Sequence, residues 1–163
     1  MMCRNAVKWR YRLDKNYTWD SPLRVSEDLV FRDDKNKVRL IIETNGTLTV
    51  MQGYTWNGCS PKICLLDLCL GTPDGVVYEK TGRQKTYYAS LVHDVLYQFL
   101  RKGTPIKRSQ ADKCFLLLMG KSEFLWRHVY WIMVRLLGWL VWGGKQVARK
   151  WKGEVVPAKA FLP

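Results

Sequence analysis

The spacing of apolar residues changes at Thr86, and this change limits the chain to a few architectures. Before it, the chain reads as strands and turns. Val7–Leu13 alternates apolar with basic residues, and Leu29–Arg32, Val38–Ile42 and Thr47–Val50 follow. Asp33–Asn36 and Asn45–Gly46 lie between them with the chemistry of turns. Gly53–Pro61 breaks the pattern, and an irregular stretch runs to about Arg83. After Thr86, Tyr88, Leu91, Val92, Val95, Leu96, Phe99 and Leu100 recur at helical spacing until Gly103-Thr104-Pro105 stops the run. Ser109 is the expected cap of a second helix carrying Ala111, Phe115, Leu116, Leu118 and Met119. A third helix is expected from near Ser122. The pattern predicts an α+β fold: a small, mostly antiparallel N-terminal sheet, an irregular Gly/Pro loop region and three C-terminal helices. Its 163 residues suit a single domain over 1–163, strand-rich over 1–52, looped over 53–85, helical over 86–152, with a tail at 153–163.

The third helix is apolar nearly all round from Phe124 to Trp142, interrupted by Arg127, His128 and Arg135. On a helical wheel these three share a narrow side with Glu123, which predicts a core helix with one wet stripe. A second reading adds an interfacial role. Trp126, Trp131, Trp139 and Trp142 are residues that settle at lipid headgroup depth, and Lys145, Arg149, Lys150 and Lys152 follow directly. The chain carries 27 Lys and Arg against 14 Asp and Glu, a net charge of +13. Such an excess draws polyanions: nucleic acid, anionic lipid or an acidic protein.

The N-terminus, Met1-Met2-Cys3-Arg4-Asn5-Ala6, has no apolar segment behind its basic residue, so no signal peptide is expected. Five cysteines, an odd count, then fit free thiols in a reducing compartment. Cys59, Cys64 and Cys69 are spaced by five, looser than the Cys-x-x-Cys pair of a zinc knuckle, so buried thiols are expected. There are two histidines, His93 and His128, which disfavours metal sites built on several imidazoles. No Gly-x-Ser-x-Gly elbow, Walker loop or Gly-x-Gly-x-x-Gly occurs.

One compact group can carry chemistry. His93 and Tyr97 are four apart and share a helical face, with Asp94 about a quarter-turn away. A loop of roughly eight residues leads to an antiparallel neighbour bearing Asp112. A buried Asp opposite a His fixes its tautomer and stabilises the imidazolium, so the other ring nitrogen can deprotonate a water. Tyr97 would brace Asp112 by a hydrogen bond, and Asp94 would be free for a hard cation. The same residues also suit a buried structural network, with His93 in a core hydrogen bond and the carboxylates paired to Lys or Arg.

Gly53-Tyr54-Thr55-Trp56-Asn57-Gly58-Cys59-Ser60-Pro61, then Ala89–Tyr97, then Arg108–Phe115 resemble, in that order, an uncharacterised family common in tailed phages and prophages. That resemblance implies a phage origin and supplies no activity. His93-Asp94-x-x-Tyr97 followed by Ala111-Asp112-x-x-Phe115 is similar to the two-helix core of phospholipase A2, especially its compact parvoviral form. This second resemblance implies that His93 is the general base, Asp112 orients it, Tyr97 supports the network and Asp94 binds calcium. Further cation ligands would come from a preceding loop, Leu70–Gly75 or Tyr54–Gly58 with Asn57.

The leading expectation is a phage-encoded, phospholipase A2-like hydrolase of phospholipid esters, dependent on calcium and partnered with an anionic membrane surface. The alternative is a non-enzymatic virion, tail or ejection component that meets other virion proteins. A third reading is a basic nucleic-acid-binding protein, although no recognised module is present. The expected location is the host cytoplasm during infection, on the virion, or peripheral on a membrane.

Overall fold

The computed structural model describes residues 11–58, 63–65, 68–70, 77–100, 104–143 and 154–157, with the backbone alone for 63–65, 68–70, 137–143 and 154–157. In chain order the strands are β1 (Tyr11–Arg12), β2 (Tyr17–Asp20), β3 (Leu29–Arg32), β4 (Val38–Ile42), β5 (Thr47–Val50), β6 (Thr55–Trp56), β7 (Ile63–Leu65), β8 (Leu68–Leu70), β9 (Val77–Tyr78) and β10 (Arg83–Gln84). Helices α1 (Tyr87–Phe99), α2 (Arg108–Lys121) and α3 (Arg127–Gly143) follow, then β11 (Glu154–Pro157). The architecture is α+β. Of the run expected as a first strand, only Tyr11–Arg12 is a described strand, and residues before 11 lie outside the described set.

The main sheet is antiparallel with strand order β11-β3-β4-β5-β2. Its inner face follows from the alternation. Phe31 pairs with Leu40, Leu40 with Val50, Ile42 with Leu48 and Leu48 with Trp19, and all are buried. Fully burying each such side chain contributes about 1.5–3 kcal/mol relative to exposure. This face packs on α1, where Phe31 meets Phe99 edge-on at 5.0 Å and Tyr17 stacks on Tyr88 at 4.3 Å between ring centroids. The stretch expected as a tail supplies edge strand β11, which pairs with β3.

Both expected turns form. Asp33 Oδ1 accepts the Lys35 and Lys37 amides at 3.0 Å, Oδ2 accepts Arg39 Nε at 2.6 Å, and Asn36 takes a positive φ of 59°. Gly46, at φ 97°, turns β4 into β5 while the Asn45 side chain accepts the Thr47 amide. The region from 53 to 85, expected as irregular loops, contains short strands: β6, which pairs with β1, and the pairs β7 with β8 and β9 with β10.

Helices α1 and α2 begin as the apolar period requires, but Ser109 is not the cap. Lys107 holds that position, its amide donating to Gln110 Oε1 at 2.7 Å, and Ser109 sits exposed in the first turn. In α3 the expected wet stripe is displaced. The helix begins at Arg127 and not near Ser122, which caps the end of α2. Tyr130 and Val134 are buried, as is Phe124 before the helix, and Trp131 is half-buried, while Val129, Ile132, Met133 and Leu136 face outward. Arg135 lies at the edge towards α2, its guanidinium 5.2 Å from the Trp131 ring. The outer stripe is therefore apolar. No described helix is long and apolar enough to cross a membrane.

Candidate active site

Two stripes of α1 organise the site. Residues one turn apart on a helix stand above one another, so Ser90, Asp94 and Gln98 form one row and His93 and Tyr97 another. The segment Gly53–Gly58 lies along the first row. Tyr54 donates its hydroxyl to Gln98 Oε1 at 2.9 Å, Trp56 donates its indole N–H to Ser90 Oγ at 3.2 Å, and the Asn57 amide bonds the Asp94 carboxylate. Gly53 and Gly58 close the segment at φ 80° and 81°, a left-handed conformation that glycine adopts without Cβ strain.

Helix α2 lies along the second row. His93 Nε2 is 3.3 Å from Asp112 Oδ1, and Tyr97 donates its hydroxyl to the same oxygen at 2.5 Å. The imidazole packs between Tyr97 and Phe115, with ring centroids 4.0 and 5.0 Å away. His93 is 7% exposed and Asp112 1%. With Asp112 ionised, the neutral ring carries its proton on Nε2, which leaves the Nδ1 lone pair free. Nδ1 faces Asp94 Oδ1 at 3.9 Å, beyond direct hydrogen-bond reach.

Two arginines outside the expected cluster, Arg108 and Arg135, complete the network. Arg108 Nε donates to the Tyr97 hydroxyl at 3.0 Å, and its Nη2 donates to the Arg135 carbonyl at 2.8 Å. Asp112 Oδ2 is buried without a hydrogen bond and is instead flanked by charge, Arg135 Nη1 at 3.6 Å and Arg108 Nε at 3.8 Å. Arg108 precedes Asp112 by four residues, a helical spacing that could have revealed it. Arg135 comes from α3 and has no such local signal.

These contacts set the protonation. Burial opposes a charged His93, but its bond to Asp112 and the negative charge of Asp112 and Asp94 outweigh this and raise its pKa above the ordinary 6.5. Burial also opposes ionised Asp112, yet the His93 and Tyr97 bonds and the His93 and Arg108 charges hold its pKa below the ordinary range. For Asp94 burial prevails over His93 and the Asn57 amide, and its pKa is raised. Burial, then Asp112, drives the Tyr97 phenol upward.

The expected His93, Tyr97 and Asp112 thus meet, and Asp94 and Asn57 lie together beside them. Asn57 Oδ1 is buried without a hydrogen-bond partner, and the backbone amide of the same residue bonds the Asp94 carboxylate, so both residues offer hard oxygens of the kind calcium takes. Among the described residues, no group of three or more His, Cys, Asp or Glu is placed to hold a metal ion. In the other candidate loop, residues 71–76 lie outside the described set. His128 is exposed, accepting from Arg127 Nε at 3.3 Å, and takes no part. Cys114 is a buried free thiol, its pKa pushed by burial up to about 12. Comparison with protein-family models, curated proteins and solved structures returns no match.

Proposed function

We propose that this chain hydrolyses phospholipid esters, with the His93–Asp112 pair as its general base. The observation that supports this most directly is the asymmetry of the imidazole: Nε2 tied to a buried carboxylate, Nδ1 without a direct hydrogen-bond partner and directed at Asp94. Neutral His93 takes a proton from water at Nδ1 as the oxygen attacks the ester carbonyl. Asp112 stabilises the imidazolium through Nε2–H, and His93 then returns the proton to the departing alkoxide. Tyr97 and the two arginines keep Asp112 ionised and in place. A hard cation, when bound, would be held by Asp94 and Asn57 and would supply polarisation of the ester carbonyl.

Fatty-acid release from anionic phospholipid vesicles, measured with calcium and with chelator, tests the proposal. Wild type is expected to release fatty acid with calcium, and increasingly as pH rises and His93 loses its proton. His93→Ala should lower the rate by roughly 10²–10⁴-fold, the usual contribution of a positioned base. The burial of His93 and Asp112 favours a second reading, a virion component with this cluster as a structural network. No release from folded wild type, together with a fixed copy number in purified particles, would establish that reading instead.

A further inference from the structure

The outer face of α3 has no covering element among the described residues, although it is the most apolar surface described. Leu125 is 90% exposed and Trp126 65%, and Val129, Ile132, Met133 and Leu136 continue the stripe at 40–59%. At 1.5 Å per residue the helical part of this ridge, Val129 to Leu136, spans roughly 10 Å, and Leu125 and Trp126 extend it in the turn that leads into the helix. Monomeric soluble proteins seldom leave so large a contiguous apolar patch uncovered.

The charge around the ridge narrows what can cover it. Between residues 104 and 136 the basic side chains are Lys107, Arg108, Lys113, Lys121, Arg127 and Arg135. The only acids there are Asp112, which is buried, and Glu123, which is paired to Lys80 at 3.2 Å. A groove of about 500 Å³ adjoins the ridge, with Leu116, Leu117 and Gly120 on one side and Lys121, Arg127 and His128 on its rim. The sequence after α3 adds Lys145, Arg149, Lys150 and Lys152 before the next acid, Glu154. A second copy of a chain with a net charge of +13 would bring like charge against like. An apolar ridge beside a basic rim complements acyl chains beneath anionic headgroups.

We infer that the outer face of α3 from Val129 to Leu136, with Leu125 and Trp126 in the turn before it, docks this protein on anionic lipid bilayers, with Lys121 and Arg127 meeting lipid phosphate. The inference rests on the proposed hydrolase in one respect: it names the surface through which that enzyme meets its substrate. Arg135, beside Asp112, is on the same helix, so the docked element also builds the catalytic pair's surroundings.

The test uses His93→Ala as the parent, so that binding is read without hydrolysis. The full chain is sedimented with phosphatidylglycerol or phosphatidylcholine vesicles, and tryptophan emission is recorded. The expected result is binding to the anionic vesicles that survives moderate salt, with a blue shift from Trp126. Val129→Asn with Leu136→Asn, both at exposed positions that should leave the fold intact, is expected to weaken binding on the order of 10–100-fold. Lys121→Glu with Arg127→Glu should weaken it and remove the preference for anionic lipid. Three results would overturn the inference: unchanged binding in the asparagine variant, equal binding to both lipids, or a dimer in sedimentation velocity that the asparagine variant dissolves. In a His93 background, the same surface variants should cleave a monomeric short-chain ester at the wild-type rate. Loss of that cleavage only in His93→Ala would uphold the hydrolase whatever the vesicles show. No cleavage by wild type, with vesicle binding intact, would reject the hydrolase and keep the docking surface.

Discussion

Asp112→Asn is expected to lower ester hydrolysis by roughly 10²–10⁴-fold while leaving the protein folded. Asparagine keeps the size of the side chain and can still accept from His93 and Tyr97 through Oδ1. Its NH2 group then faces Arg108 and Arg135, donors set against cations. Turned the other way, the NH2 group meets His93 Nε2 and Tyr97, which drives the imidazole proton to Nδ1 and removes the base. Either orientation leaves the imidazolium without its strongest partner, so the His93 pKa should fall, a change NMR titration reads independently of activity. Removing one member of a buried ion pair typically costs 3–5 kcal/mol. Here the arginine side chains are 27% and 46% exposed and can turn to water, so about 1–3 kcal/mol is expected.

The same substitution should flatten the dependence of stability on pH. His93 binds its proton more tightly folded than unfolded, so its contribution is fully present below about pH 6.5 and lost as pH rises through the folded value. Asp112 is the reverse: its contribution is present above about pH 4 and lost as pH falls through its depressed folded value. The pair therefore stabilises most between about pH 4 and 6.5. Urea midpoints measured in chelator across this range should show that maximum in wild type and lose it in Asp112→Asn. An unchanged profile would show that the two groups are not coupled in solution.

Gly46→Ala is expected to be a more destabilising single-methyl change than the same substitution at Gly53, Gly82 or Gly120. The residue sits at φ 97°, and a Cβ there would lie 2.6 Å from the Ser21 carbonyl oxygen and 2.8 Å from that of Leu23. The Arg24 guanidinium, also in the way, can swing aside, but the two carbonyls belong to a backbone pinned by Ser21, whose amide and hydroxyl both donate to the Gly46 oxygen. Backbone strain and overpacking of about 1–3 kcal/mol each predict a loss of roughly 2–5 kcal/mol. In a chain of this size that lowers the thermal midpoint by roughly 5–15 °C. Gly82→Ala separates the two causes, because Gly82 also has a positive φ, 61°, but nothing within 4 Å of the added methyl. It should cost only about 1 kcal/mol. Equal losses in the two variants would mean that conformation alone, not the close approach to the Ser21 and Leu23 carbonyls, controls Gly46.

The sheet was legible where apolar, β-branched-rich runs of four or five residues lie between turn-forming residues. β3, β4 and β5 lie where the pattern placed them, with Asp33 and Gly46 turning between them. β2 alternates, but its four residues are hemmed by charged and turn-forming neighbours, and β11 has no local signature. Both are stabilised by pairing with strands distant in sequence, β2 with β5 and β11 with β3. The site divides in the same way. The spacing of His93, Tyr97 and Asp112 was readable because a helix turns a spacing of four into adjacency, and a short loop turns two helices into neighbours. The docking of Gly53–Gly58 along Ser90, Asp94 and Gln98 was not readable, because it depends on where β6 runs.

Helix α3 marks the boundary most clearly. Its apolar character came from the sequence, as did the three positions that break it, but not its start, which is Arg127 and not near Ser122. Which side would face the core did not. An amphipathic helix declares its inner face by contrast between apolar and polar rows, and a helix that is apolar nearly all round offers little contrast. Packing against α2 decided it, seating Tyr130 and Val134 inside and drawing Arg135 to Asp112. What remained outside was the apolar row. Local periodicity thus determined the elements and the spacing of the catalytic candidates, while long-range contacts decided which charges surround Asp112 and which surface is left to meet a partner.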